Sequence, residues 1–227
     1  MSLLEIPGVP ESLLASDVVL PESSAPAPWT TRIDAAFWWH RATPSAASVL
    51  PAELRGRVIP VTLAAFVRYR STPVGPYSEI FASPVLLRQW PVPPLHVPFI
   101  AVDSVASVHG GRANWALPKT LASFTWGASS IAVRGDGWDV AASARASTPR
   151  IPIAGGLRVV QPFDGVPRSA WIGLYGRARL GRVTVAARGP SLSGWLSPGT
   201  HPALLISDST MKVGAPGGGA GARPHPR

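Results

Sequence analysis

Proline and glycine cut this chain into short apolar pieces. There are 26 prolines and 22 glycines among 227 residues, and no apolar run reaches the ~18 residues that cross a bilayer as a helix. Proline fixes φ and lacks an N–H, while glycine accepts positive φ, so such punctuation favours short strands and tight turns. Strands are expected over residues 30–41, 58–70, 99–108, 121–134, 138–146, 170–188 and 203–207. Phe37, Trp38 and Trp39 sit at the centre of the first and read as core or subunit-interface residues. Gly135-Asp136-Gly137 is a hairpin signal, and Gly155-Gly156 and Asp164-Gly165 mark loops. The 170–188 strand alternates, with a reset near Gly181. Residues 43–50 read as a short helix, with Thr43 at the N-cap and Pro44 at the first helical position. Residues 91–98 are a proline-dense connector. The pattern is mainly β, a barrel or sandwich with few short helices. One domain covers residues 29–213. Residues 1–28 form an extension that wraps the surface or frays, and the tail from Gly214 is expected to be disordered.

The formal charge is +9, which raises the question of nucleic acid or an acidic partner. The arginines are scattered, with no basic run of five or more and no nucleic-acid-binding motif, so nucleic acid is set aside and an anionic small substrate preferred. Cysteine is absent, which removes disulfides and thiolate metal sites and fits a cytoplasmic protein. The start shows no basic region leading into an apolar one, so no secretory signal is expected, and with no apolar run of bilayer length no membrane partner is expected. His40, His96, His109, His201 and His225 lie far apart, and no metal site is expected. No phosphate loop or serine nucleophile elbow appears, and no cofactor is called for.

What remains is one lysine. Only Lys119 and Lys212 interrupt an otherwise all-arginine set of cations. Arginine holds its proton at accessible pH, whereas lysine can release it. Lys119 sits among Trp115, Leu117, Pro118, Leu121 and Phe124. Burial there disfavours the ammonium, and a neutral amine attacks carbonyls to form a Schiff base. The plainer reading is that its methylenes cover apolar surface while its head stays in water. Glu79 follows a Pro-Gly-Pro turn and opens an apolar stretch, so it points into a pocket or pairs with a surface arginine. Arg112 and Asn114 either bind substrate oxygens or brace the turn that carries the lysine.

The run Val102-Asp103-Ser104 followed by Gly111-Arg112-x-Asn114-Trp115-x-Leu117-Pro118-Lys119 resembles the core motif of the acetoacetate decarboxylase family. A second block, Ser71-Thr72-Pro73-Val74-Gly75-Pro76-Tyr77-Ser78-Glu79, resembles the family's other signature, and the match covers roughly residues 29–210. The resemblance implies a cone-shaped antiparallel β-barrel with the lysine inside. It assigns the Schiff base to Lys119, and an essential glutamate falls at Glu79. It implies decarboxylation of a small β-keto acid, with Arg32 the nearest candidate for a substrate-contacting arginine on the first strand and a homo-oligomer possible. Three departures stand out. Thr120 replaces a frequent second lysine, residues 62–66 lack a second glutamate, and Arg32 is one position out of step. Aldolase or dehydratase chemistry on the same iminium, or a non-catalytic ligand-binding barrel, therefore stay open.

Overall fold

The computed structural model describes residues 3–56, 58–89 and 91–218. In chain order the strands are β1 Trp29–Arg41, β2 Val58–Ile59, β3 Val61–Ser71, β4 Tyr77–Ser83, β5 Leu86–Leu87 and β6 Phe99–Val102. Helix α1 spans Val105–Trp115. Strands β7 Thr120–Leu121, β8 Ser123–Trp126, β9 Ser130–Gly135, β10 Trp138–Ala146, β11 Ile151–Gln161 and β12 Arg168–Arg188 follow. A one-turn helix α2, Leu192–Trp195, precedes β13 Gly199–Val213 and β14 Gly217–Gly218.

The main sheet runs β7-β6-β4-β3-β1-β13-β12-β10-β9-β8, with β11 and β14 also paired to β12. Its two edges, β7 and β8, are consecutive in the chain, so the backbone at Ala122 joins them and curls the sheet into a nearly closed barrel. Closure removes most of the unpaired edge. Pairing is antiparallel except for β6 and β7, which α1 connects as a crossover. Both faces of β1 are covered. Phe37 meets Phe81 edge-on at 6.0 Å on the cavity side, while Trp38 stacks on Phe66 at 5.1 Å in the opposite core.

The barrel expectation holds, and several local expectations change. The strand expected over 99–108 stops at Val102, and Ser104 caps a helix by accepting from the Ser107 N–H at 3.3 Å. The paired glycines Gly110 and Gly111 lie inside that helix, not in a turn. The helix expected over 43–50 is a single 3-10 turn, Ala46–Val49, and the Thr43 hydroxyl donates to the Gly194 carbonyl instead of capping it. Gly155 and Gly156 lie within β11, and the absence of a side chain at Gly156 makes room for the Trp171 ring of β12. The irregularity in β12 falls between Tyr175 and Arg177, earlier than Gly181. Residues 203–207 are the middle of a 15-residue strand. In the tail, Gly217 and Gly218 pair with β12, so order extends past Gly214; the rest of that call lies outside the described residues.

The N-terminal segment is a brace. Ile6, Val9, Glu11 and Ser12 are buried, the Val9 N–H donates to Pro98, and the Ser12 hydroxyl accepts from the Ile100 N–H on β6. The buried Glu11 carboxylate accepts from the Ser191 N–H and hydroxyl, each at 2.6 Å, and from the Leu192 N–H at 2.9 Å. These bonds tie the first residues to the start of α2, and bonds to an ionised acceptor are about twice as strong as neutral ones. Glu11→Ala should therefore lower the unfolding free energy by about 2–4 kcal/mol, read as an earlier midpoint in a urea titration.

Candidate active site

Strand periodicity sets out the polar part of the cavity. Tyr77 and Glu79 are two residues apart on β4 and share a face. Tyr69 stands opposite Tyr77 in the antiparallel pair, and their rings stack at 4.2 Å. Beyond β4 come β6 and then β7, with Val102 opposite Glu79 and Leu121 opposite Val102. Lys119 immediately precedes β7, and its side chain reaches back across β6 towards Glu79.

Two features of α1 make that reach possible. Gly111 leaves a groove in which the lysine stem lies, since a Cβ there would come within 2.5 Å of Lys119 Cδ. The helix ends at Ala116 in the left-handed region, φ 55°, which turns the chain into Leu117-Pro118-Lys119. Arg112 secures this turn from behind. It is 1 % exposed, and its Nε donates to the Lys119 carbonyl at 2.7 Å while Nη1 donates to the Leu3 carbonyl at 2.7 Å. Burial pulls its pKa down to about 10.

The Lys119 ammonium is 2.7 Å from Glu79 Oε2, with both side chains about 5 % exposed or less. The contact is mainly ionic and off the line of a well-directed hydrogen bond. Nζ also donates to the Ser107 hydroxyl at 3.0 Å and the Tyr77 hydroxyl at 3.4 Å. The Tyr69 hydroxyl donates to Glu79 Oε1 at 3.1 Å. Burial, then the neighbouring Glu79 charge, push the Tyr69 phenol well above its usual pKa, so it stays a donor. Around these groups lies a cavity of about 60 Å³ whose apolar wall includes Trp29, Phe37, Phe81, Trp115, Leu157, Ile172 and Met211. At about 10–15 Å³ per water, that is room for roughly five waters or one small organic acid.

Of the residues singled out in the sequence, the structure brings two together and places the others elsewhere. Lys119 and Glu79 meet in the cavity. The expected lowering of the amine pKa is reversed. Burial does push it down, but the Glu79 charge and then Tyr77 outweigh that, and the balance lies above the ordinary lysine value. Arg32 faces outward, half exposed, paired with Asp208; Thr31, one residue earlier, takes the inward position and lines the cavity. Arg112 and Asn114 do not line it. Arg112 braces the turn, and Asn114 holds the N-terminal segment by accepting from the Ala27 N–H and donating to the Ala25 carbonyl. Tyr69, Tyr77, Ser107 and Thr31 were not singled out as site residues. Tyr77 sat within the quoted motif, two residues before Glu79, and strand alternation alone would have placed it beside the carboxylate. Among the described residues no group of three or more His, Asp or Glu is placed to hold a metal.

An amine whose folded pKa is raised contributes stability that is fully present below the unfolded value near 10.4 and is lost as pH climbs through the folded value. Acylation of Lys119, followed by peptide mass, should therefore set in only above about pH 10.4. Glu79→Gln leaves burial as the dominant influence, so labelling should begin at lower pH than in the parent protein. Breaking the buried pair should also cost about 3–5 kcal/mol of stability in denaturant titrations. Gly111→Ala should push the lysine stem out of its groove and shift the onset of acylation towards that of an exposed amine.

The wider comparisons bear on the family and the fold. The acetoacetate decarboxylase family model matches residues 21–148. No curated protein matches by sequence. Among solved structures, an acetoacetate decarboxylase from Legionella pneumophila is 14 % identical with a TM-score of 0.65, covering 97 % of this chain and 98 % of its own. The enduracididine biosynthesis enzyme MppR, complexed with the condensation product of pyruvate and imidazole 4-carboxaldehyde, is 15 % identical with a TM-score of 0.57, covering 90 % and 98 %. An acetoacetate decarboxylase-like enzyme from Sphingomonas wittichii RW1 is 15 % identical with a TM-score of 0.57, covering 91 % and 100 %. More than half of the chain falls within the family model, and the barrel matches these structures over nearly its whole length: the chain belongs to the acetoacetate decarboxylase family.

Proposed function

We propose that the protein is an enzyme that forms a Schiff base between Lys119 and a small keto acid. The observation that carries this reading is the lysine nitrogen itself, buried at the wall of a small cavity with a carboxylate at 2.7 Å and two hydroxyls in reach. The amine starts as an ammonium, so the nucleophile must be made in place. When a ligand displaces the cavity water, both charges of the pair lose solvation, and proton transfer from Lys119 to Glu79 yields a neutral amine and a neutral acid. The amine attacks the carbonyl carbon, the C=O π pair moves to oxygen, and one N–H proton passes from nitrogen to that oxygen to give a neutral carbinolamine. Glu79 returns its proton to the carbinolamine oxygen, water leaves, and the iminium that remains faces the restored carboxylate. Tyr69 steadies Glu79 throughout, and Tyr77 supports the nitrogen.

Two continuations share that iminium. With a carboxylate β to the carbonyl, the carbon–carboxylate bond breaks, its electrons move to the nitrogen and give an enamine, and carbon dioxide departs. Reprotonation at carbon and hydrolysis then release a ketone and free Lys119. This is the continuation that the family resemblance implies. Alternatively, an enamine formed by loss of an α-proton adds to an aldehyde, or the adduct loses water. The MppR complex with a condensation product supports that second course. A non-catalytic binding barrel is the remaining reading, favoured by the strength with which Glu79 holds the ammonium.

Treatment with acetoacetate and borohydride separates these readings. The enzymatic reading expects reductive mass gain on the peptide containing Lys119, and none in Lys119→Arg, whose guanidinium keeps its charge but cannot form the imine. Tyr77→Phe should slow labelling by about tenfold, the effect of one lost hydrogen bond to a charged group. Binding of acetoacetate with no reducible adduct would leave only the binding barrel.

A further inference from the structure

The Lys119 cavity holds one buried cation and one buried carboxylate, already paired, and Thr31 occupies the inward position on β1 beside Arg32. A substrate carboxylate drawn wholly into it would add an unpaired charge, which a dry cavity disfavours strongly. A second cation lies at the next cavity. Arg168, the first residue of β12, lines a smaller space of about 20 Å³ that shares Trp115, Leu117, Val159, Ile172 and Val213 with the lysine cavity. Its guanidinium is held in place: Nη1 donates to the Ala113 and Asn114 carbonyls, at 2.6 and 3.4 Å, and Cζ sits 3.6 Å from the centre of the Phe163 ring. Nε and Nη2 have no acceptor, and no carboxylate pairs with the group, among the described residues. The Nε–Nη2 edge of a guanidinium presents two parallel N–H bonds, the fork that a carboxylate takes bidentately.

We infer that Arg168 holds the carboxylate of a keto acid whose carbonyl carbon meets Lys119, so the substrate is an acid that spans both cavities. The inference rests on imine formation at Lys119 and not on which bond breaks afterwards. It gives the acid a charge partner without adding to the Lys119–Glu79 pair. It also accounts for a departure from the family pattern, since the first strand supplies no inward arginine here.

Arg168 also ends α1 by bonding its last carbonyls, so the experiment must separate recognition from support. Pyruvate, acetoacetate and 4-oxopentanoate, each beside its methyl ester, are incubated with the full chain and cyanoborohydride, and the Lys119 adduct is quantified against concentration. In the parent protein at least one acid should half-saturate below its ester. Arg168→Gln should reduce that acid-over-ester preference roughly 10- to 100-fold, as expected for losing bonds to a charged group. Arg168→Lys, which keeps the charge and a donor for the helix end but lacks the fork, should fall between the two. Ester labelling in the same variants reports that the lysine site is still formed. Acids labelled no better than esters, or a preference that survives in Arg168→Gln, would overturn the role of Arg168 while leaving the imine intact. No labelling by any acid or ester would remove the imine and this inference with it.

Discussion

A single buried ion pair sets the terms for this protein. Moving the Lys119 ammonium and the Glu79 carboxylate out of water costs several kcal/mol each, and only close, well-supported contact offsets it. The surrounding structure supplies that contact. Gly111 opens the groove for the lysine stem, Ser104 starts the helix that carries Gly111, and Arg112 fixes the lysine backbone from the far side. The N-terminal segment then closes over Arg112, accepting its outer N–H bonds with the carbonyls of Leu3 and Ser12. Leu3, more than a hundred positions away in sequence, is thus linked to the Lys119 backbone through the single side chain of Arg112.

The same pair carries opposite tendencies. Burial alone favours two neutral groups, and mutual attraction favours two charged ones. In the unliganded protein attraction wins, and the amine pKa lies above its ordinary value. On the proposed mechanism, a bound ligand would shift the balance by removing what solvation the charges retain. On that mechanism the pair would keep the amine protonated until a ligand fills the cavity.

How much of this was legible follows from the range of each interaction. Lys119 stood out because lysine is nearly absent, and Glu79 because a rigid turn aims it. The barrel was legible because short alternating segments leave few other ways to bury a core. Helix α1 was not, since two glycines in its middle mimic a turn and its apolar positions show little helical periodicity; what holds it is the tertiary groove for Lys119 and Trp29. The amine pKa was misjudged for the same reason. Glu79 acts across β6, from a strand 40 residues earlier, and no local window contains both groups. Arg32 and Thr31 differ by one residue, and along β1 the buried Trp29, Thr31 and Ile33 alternate with the exposed Thr30 and Arg32, so a slip of one position in matching the motif exchanges the two faces.

The placement of cations around the cavity bears on the chemistry as well as on binding. A carboxylate that leaves as carbon dioxide gives up its charge in the transition state, so a guanidinium holding it stabilises the ground state more and slows the step. A carboxylate that stays through the reaction is held equally before and during it, and the same guanidinium only improves binding. Thr31 takes the inward position on β1 and Arg168 lines the neighbouring cavity; a substrate carboxylate bound at Arg168 would favour a reaction that keeps it over one that loses it. If Arg168 holds the substrate carboxylate as inferred above, condensation or dehydration would suit an iminium at Lys119 better than decarboxylation.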